Sequence, residues 1–301
     1  MINIKERLAI DPQEEIRKID ELLKSKFHNL NKKIALIGLS GGLDSSLAAV
    51  LSSRSLGADK LVCYYLPERD SKPLHMNHAH LLAEHYGLKL QTIRITPMLR
   101  SLGIYSLLPL NYFPTRWLRN RAVQYGKKRF LSESKGEFLN LRLAGTGGDW
   151  VARGNAYASS KHRVRSVVLY REAERYLGLV IGAANRTELM TGTFTQWGCD
   201  HCADVMPLVH LYRSQLQVLA EYLELPDEIL HKKADPDVLP GLDDKGQLLG
   251  TFEEADQILW GLEHQVPLAE LKRSFDPELV DYLIKLRDNS AFYRDAPYSL
   301  L

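Results

Sequence analysis

Cysteine is scarce: Cys63, Cys199 and Cys202 are the only three in 301 residues. Three thiols are too few for a disulfide scaffold. No apolar run approaches the length of a membrane span, which excludes a membrane as partner. The first residues, Met1-Ile-Asn-Ile-Lys-Glu-Arg7, have no signal-peptide core, so a cytoplasmic setting is expected. An excess of one charge is also missing. Lys and Arg number 39 against 37 Asp and Glu, a net charge of +2, so no global pull toward nucleic acid exists. There is no internal repeat and no low-complexity segment. The composition, 45% hydrophobic and 25% charged, is that of a soluble globular protein long enough to bury one large core.

The informative stretch is Ile34-Ala-Leu-Ile-Gly-Leu-Ser40-Gly-Gly-Leu-Asp44-Ser-Ser46. Its apolar run reads as a strand buried on both faces. A two-glycine turn follows, and then Leu43–Leu51, with helical spacing of apolar residues. A strand, a tight turn and a helix N-terminus make an anion site, because the turn aims N–H groups at one point and the helix dipole adds positive charge. Ser40, Gly41, Gly42, Ser45 and Ser46 are its candidate contacts. No lysine lies in the turn, so it is not a Walker-type loop. Asp44 would repel a bare phosphate; it fits if a divalent cation sits between.

Two more apolar runs, Lys60–Leu66 and Gly178–Gly182, read as strands, as does Lys89–Ile95. Helical segments at Asn77–Gly87 and from Lys161 to Tyr176 alternate with them. This predicts an α/β fold: a doubly wound parallel sheet, Rossmann-like, with helices on both faces and ligands beyond the C-terminal strand ends. Asp11-Pro12-Gln-Glu-Glu15 and Thr251-Phe-Glu-Glu254 read as helix starts. Glu188 follows the Gly178 strand directly, so it projects from the same sheet edge as Asp44 and suits a shared magnesium. The chain reads as a single domain, 1–301. It carries a basic, aromatic insertion around 105–150 and a helical tail around 251–301. Within the insertion, Asn111–Phe130 has no acidic residue. It reads as a surface helix with a solvated basic face, and alternatively as a platform for a phosphate-bearing ligand such as RNA. Ala144–Asp149 reads as a loop. Ala234–Asp244, rich in Pro, Asp and Gly, reads as a loop that closes over a site. Cys63 reads as a small buried hydrophobe. Cys199-Asp-His-Cys202 reads as plain reduced cysteines, with thiol chemistry or metal as alternatives.

Ser40–Ser46 resembles the pyrophosphate loop of the ATP pyrophosphatases. The further order of Arg163-Val-Arg165, Gly182-Ala-Ala-Asn-Arg-Thr187-Glu188, Thr195-Gln-Trp-Gly198, Leu211-Tyr-Arg213 and Leu239-Pro-Gly-Leu-Asp-Asp244 is similar to the NAD synthetase family along nearly the whole chain. The resemblance implies an ammonia-dependent ligase in which ATP adenylates the carboxylate of deamido-NAD (nicotinate adenine dinucleotide) and ammonia displaces AMP. By position it places ATP and pyrophosphate on Ser40, Gly41, Gly42, Asp44, Ser45, Ser46, Thr187 and Arg213. It places Mg2+ on Asp44 and Glu188, and substrate on Arg163, Arg165, Gln196, Trp197 and Asp204. Asp44, Arg163 and Arg213 are the expected catalytic group. It implies a homodimer and free ammonia as nitrogen donor. Where the family has a Lys and Gly-Asp-Gly-Gly this chain has Gln196 and Gly-Cys-Asp-His-Cys. Where the family ends in His-Lys-Arg it has Phe292-Tyr-Arg294. The alternatives are a related ATP pyrophosphatase acting on a different carboxylate, an RNA-modifying relative passing sulfur through Cys199 or Cys202, and a non-catalytic nucleotide-binding protein.

Overall fold

The computed structural model describes residues 4–130, 137–199, 201–232 and 250–295. Its centre is a sheet of four parallel strands, β1 (Ile34–Gly38), β2 (Leu61–Tyr65), β3 (Lys89–Thr92) and β4 (Gly178–Ile181), in the order β3-β2-β1-β4. Ala35 of β1 pairs with Leu61 of β2 on one side and with Leu179 of β4 on the other. Every residue of β2 and β4 is buried, which requires cover on both faces. The pleat sorts the side chains into two cores. Ala35, Ile37, Leu61, Cys63, Leu179 and Ile181 face one; Leu36, Val62, Tyr64 and Val180 face the other. Cys63 is the buried hydrophobe its sequence context predicts, and burial pushes its thiol up to about 12. β3 is the exposed edge and stops three residues short of the expected Ile95. Ile93 and Ile95 still donate to Tyr65 and Pro67 after strand geometry has been lost.

On the first face lie α1 (Pro12–Asn29), α2 (Leu43–Leu56) and α3 (Pro73–His85). Asp11 caps α1 by accepting the Gln13 N–H at 2.9 Å. α3 begins four residues before the expected Asn77, because Pro73 at its first position gives up no needed N–H.

The second face carries α4 (Arg116–Phe130) and α5 (Gly148–Tyr176). The expected helix start at Lys161 is wrong by more than three turns. Lys161 is mid-helix, and the glycine loop ends at Gly147 with φ +96°. The inward positions of α5 include Gly154, Ser159 and Lys161, so no apolar stripe announces its first half. α4 exposes Trp117, Arg121 and Tyr125, but Arg119 on its other side is buried and donates to Asp70 at 2.8 Å, so the expected solvated basic face is only partial.

The remaining elements include α6 (Arg186–Thr191), α7 (Arg213–Tyr222), α8 (Phe252–Glu263) and α9 (Pro277–Asn289). Thr251 and Glu254 form the expected capping box of α8. The α8–α9 region builds a third core around Ile258, Leu259, Leu283 and Leu286. Among the described residues no helix is long and apolar enough to cross a membrane.

Candidate active site at the switch point of the sheet

β2 lies on one side of β1 and β4 on the other, so the chain runs one way across the sheet from β1 to β3 and the connection from β3 returns past β1 to β4. A crevice forms at such a reversal, beyond the C-terminal strand ends. Two segments reach it: Ser40–Ser46 after β1 and Asn185–Glu188 after β4. Sequence reasoning brought these two together, and the sheet order gives the physical cause.

The loop is closely tied. Ser40 N–H donates to Ser45 Oγ at 3.1 Å, the two hydroxyls lie 2.8 Å apart, and Gly42 N–H reaches Ser40 Oγ at 3.2 Å. Gly41 has φ +71°, and a Cβ there would meet the His75 carbonyl at 2.3 Å, so the start of α3 presses on the loop and only glycine fits. Ser46 is buried and its hydroxyl has no hydrogen-bond partner among the described residues, although buried hydroxyls are normally paired.

Asp44 Oδ1 is likewise shielded and accepts no hydrogen bond from the described residues. Its countercharge is Arg213 Nε at 3.5 Å. Burial holds the Asp44 carboxyl above the usual carboxylate range, with Arg213 opposing. A shielded carboxylate oxygen that accepts no hydrogen bond fits a cation. Glu188 also serves the local backbone. Its Oε2 accepts the Asn185 N–H at 3.3 Å, while Asn185 caps the Glu188 N–H at 2.9 Å. Among the described residues no cluster of three or more metal-type ligands exists. Two carboxylates with phosphate oxygens completing the shell match the way magnesium is held by nucleotide enzymes.

Thr187 is buried at the front of α6. Its hydroxyl accepts the Arg213 N–H at 2.8 Å and donates to Asp256. Asp256 also accepts the Ser214 N–H at 2.7 Å, so one buried carboxylate on α8 fixes both α6 and the start of α7. Sequence reasoning missed Asp256, because nothing in Phe252–Glu263 marks an inward acid. It also missed Lys232. The Lys232 ammonium donates to the Gly41 carbonyl at 2.8 Å and meets His75 Nδ1 at 2.7 Å, which puts a cation against the anion loop from a distant segment.

The expected substrate residues gather elsewhere, around the middle of α5. Arg163 donates from Nε and Nη2 to the Gln196 carbonyl, each at 3.3 Å, and Gln196 Nε2 donates to the Phe292 carbonyl at 3.4 Å. Trp197 stands beside them, partly exposed at φ +60°. Arg165 points the other way, donating to the Leu66 carbonyl at 3.1 Å beyond the end of β2. Asp204 lies beside β4, not beyond its end. It accepts the Val180 N–H at 2.8 Å and the Tyr170 hydroxyl at 3.2 Å, so both oxygens hold the sheet edge together. The Ala234–Asp244 loop and Asp200 fall outside the described residues.

Cys199 Sγ lies 3.6 Å from His162 Nδ1. Burial, with Arg165 and Lys161 nearby, pushes that imidazole down to about 3, so at neutral pH it carries no positive charge to stabilise a thiolate. Burial and then Asp204 push the Cys202 thiol up. Reactive cysteines need the opposite surroundings.

The profile of the family described as NAD synthase matches residues 15–106 and 144–297. The chain belongs to the NAD synthase family. Relatives include an NH(3)-dependent NAD(+) synthetase of Thermotoga neapolitana, 36% identical over 90% of this chain and 91% of that protein. Another, of Coprothermobacter proteolyticus, is 33% identical over 95% of this chain and 97% of its own. Among solved structures, NMN synthetase from Francisella tularensis shares the fold with a TM-score of 0.68 at 24% identity, over 97% of this chain and 99% of that one. The NAD synthase match spans the anion loop, α5, Asn185–Glu188 and α7, and passes over residues 107–143, within the basic insertion.

Proposed function

We propose that this protein is an ammonia-dependent ligase that converts deamido-NAD to NAD at the expense of ATP. The observation that carries the reading is the meeting of Ser40–Ser46 and Glu188 at the switch point of the sheet, in a chain whose relatives are NH(3)-dependent NAD(+) synthetases over nine-tenths of its length. In this reading a carboxylate oxygen of the nicotinate attacks the α phosphorus of ATP. The bond from that phosphorus to the bridging oxygen breaks, and pyrophosphate leaves with the electron pair. The ammonia nitrogen then attacks the acyl carbon, the bond to AMP breaks, and one proton is lost.

The chain's own part is positioning and charge neutralisation. The loop N–H groups and the Ser40, Ser45 and Ser46 hydroxyls receive the leaving pyrophosphate. Arg213 supplies positive charge from the start of α7, Thr187 lies at the nucleotide, and Arg163 and Arg165 flank the substrate. Asp44 and Glu188 would hold Mg2+, which when bound screens the phosphate charge. Incubation with ATP, ammonium and deamido-NAD tests the reading by mass spectrometry. The expected products are AMP, pyrophosphate and a dinucleotide in which NH2 has replaced OH. ATP binding without that product would refute it.

The thiols have no step in this chemistry. Cys199→Ser and Cys202→Ser are expected to keep most amide formation, and the purified protein to carry no zinc. Adenylation retained with product lost in either variant would favour sulfur transfer instead. The homodimer belongs to the same proposal. Sedimentation at micromolar concentration should show a species of twice 34.2 kDa, and a monomer alone would remove it.

A further inference from the structure

A cavity of about 310 Å³ lies between the turn at Gly145–Gly148 and one face of α5. Val151, Asn155, Ser159 and Arg163, each four residues apart, form its α5 wall, and Arg142 lines it from the other side. Among the described residues no acid lines it. The first turn of α5 borders it and adds the positive end of a long helix, and the acid of that turn, Asp149, is exposed, outside the lining, and paired with Arg153 at 2.8 Å. The sign of the cavity is therefore positive from three sources.

Arg142 is the unusual member. Its Nη2 donates to the Gly192 carbonyl, which fixes the guanidinium, but its Nε is shielded from solvent and has no hydrogen-bond partner among the described residues. No described carboxylate pairs with it, and burial lowers its hold on its proton. A guanidinium nitrogen shielded from solvent and left without a partner is costly unless an anion arrives. Its position is telling as well: Arg142 lies in the last turn of the short helix Glu137–Leu143, in the stretch the NAD synthase profile passes over.

The volume is at the small end for ligand pockets, enough for part of a dinucleotide. The nicotinate carboxylate must stay free to attack ATP, so it is not the group to clamp. A phosphate remote from the reacting carbon is, because binding energy from non-reacting parts holds the reacting end in place. We propose that Arg142, supplied by the inserted segment, joins Arg163 in this cavity to hold a phosphate of the dinucleotide substrate and so sets substrate preference. This rests on the amidation reading above.

Calorimetric titration of the full-length protein with deamido-NAD, without ammonia, tests it, with ATP titrated separately. Arg142→Gln is expected to weaken dinucleotide binding at least tenfold and change ATP binding less than twofold. Arg142→Lys, which keeps the charge but not the fork, should fall between. Circular dichroism checks that both variants fold, and the lysine variant serves if the glutamine one does not. Dinucleotide binding within twofold of wild type in the folded variants, or equal loss of both ligands, overturns the proposal, as does a wild type that binds no dinucleotide. A wild type that binds deamido-NAD through Arg142 yet forms no NAD refutes the amidation reading and leaves the cavity assignment standing.

Discussion

Asp44→Asn and Glu188→Gln are each expected to slow pyrophosphate release by roughly a thousandfold or more, which is about 4 kcal/mol of transition-state stabilisation. The two acids sit in the first turns of the helices that follow β1 and β4, more than a hundred residues apart in sequence, at one edge of the sheet. Neither substitution should unfold the protein. The Asp44 carboxyl is held above its ordinary range, with burial outweighing Arg213, so its ionised form gains less from Arg213 than it loses to desolvation. Asparagine removes that charge at nearly constant volume, and the variant should melt close to wild type. Glutamine at position 188 still offers an oxygen to the Asn185 N–H, so the capping box survives. A coupled pyrophosphate assay at saturating magnesium, with a thermal melt beside it, reads both effects. Near-normal turnover in either variant would remove that acid from the proposed cation site.

What was legible in the sequence follows from how local its causes are. β1, β2 and β4 are short apolar runs, and a strand buried on both faces has no other way to look. The anion loop was legible because its glycines and serines act on their immediate neighbours. The first half of α5 was not, because its inward face carries Lys161 and Ser159, and a buried charge is explained only by partners elsewhere. Those partners, Glu68 and Asp70, lie about ninety residues away. Asp256, Lys232 and Arg142 escaped for the same reason. Each is an ordinary surface-type residue in its own segment, and each acquires a role only when the fold brings Thr187, Gly41 or the α5 cavity against it. Asp204 shows the converse: its motif position marks it as a substrate contact, and the fold also gives it a local task in holding Val180 and Tyr170.

Lys161→Met is expected to destabilise the protein by about 3–5 kcal/mol, the cost of leaving a buried charge without its partner. Lys161 is fully buried, with its ammonium 2.8 Å from Glu68 Oε1, 3.7 Å from Asp70 Oδ2 and 4.4 Å from the Tyr157 ring centre. Asp70 can spare it, because Arg119 Nε at 2.8 Å and the Tyr157 hydroxyl at 2.6 Å also hold that carboxylate. The wider network keeps Asp70 below the usual carboxylate range despite burial. Glu68 is worse placed: the Tyr105 hydroxyl that donates to it at 2.8 Å is neutral, and its side chain sees no solvent. The penalty should therefore come mostly from Glu68. Lys161→Met with Glu68→Gln should then recover much of the loss, because a neutral amide tolerates the site that a lone carboxylate does not. Urea unfolding of wild type, both single variants and the double variant gives the coupling directly. Additive losses would show that Lys161 acts by packing alone. A large coupling would mean that this pair pins the middle of α5, and with it Arg163 and Arg165, to the segment leaving β2. Function would then suffer before the fold does: at temperatures well below its melt, the Lys161→Met variant should bind deamido-NAD more weakly while its ATP affinity holds, since the anion loop packs against the start of α3.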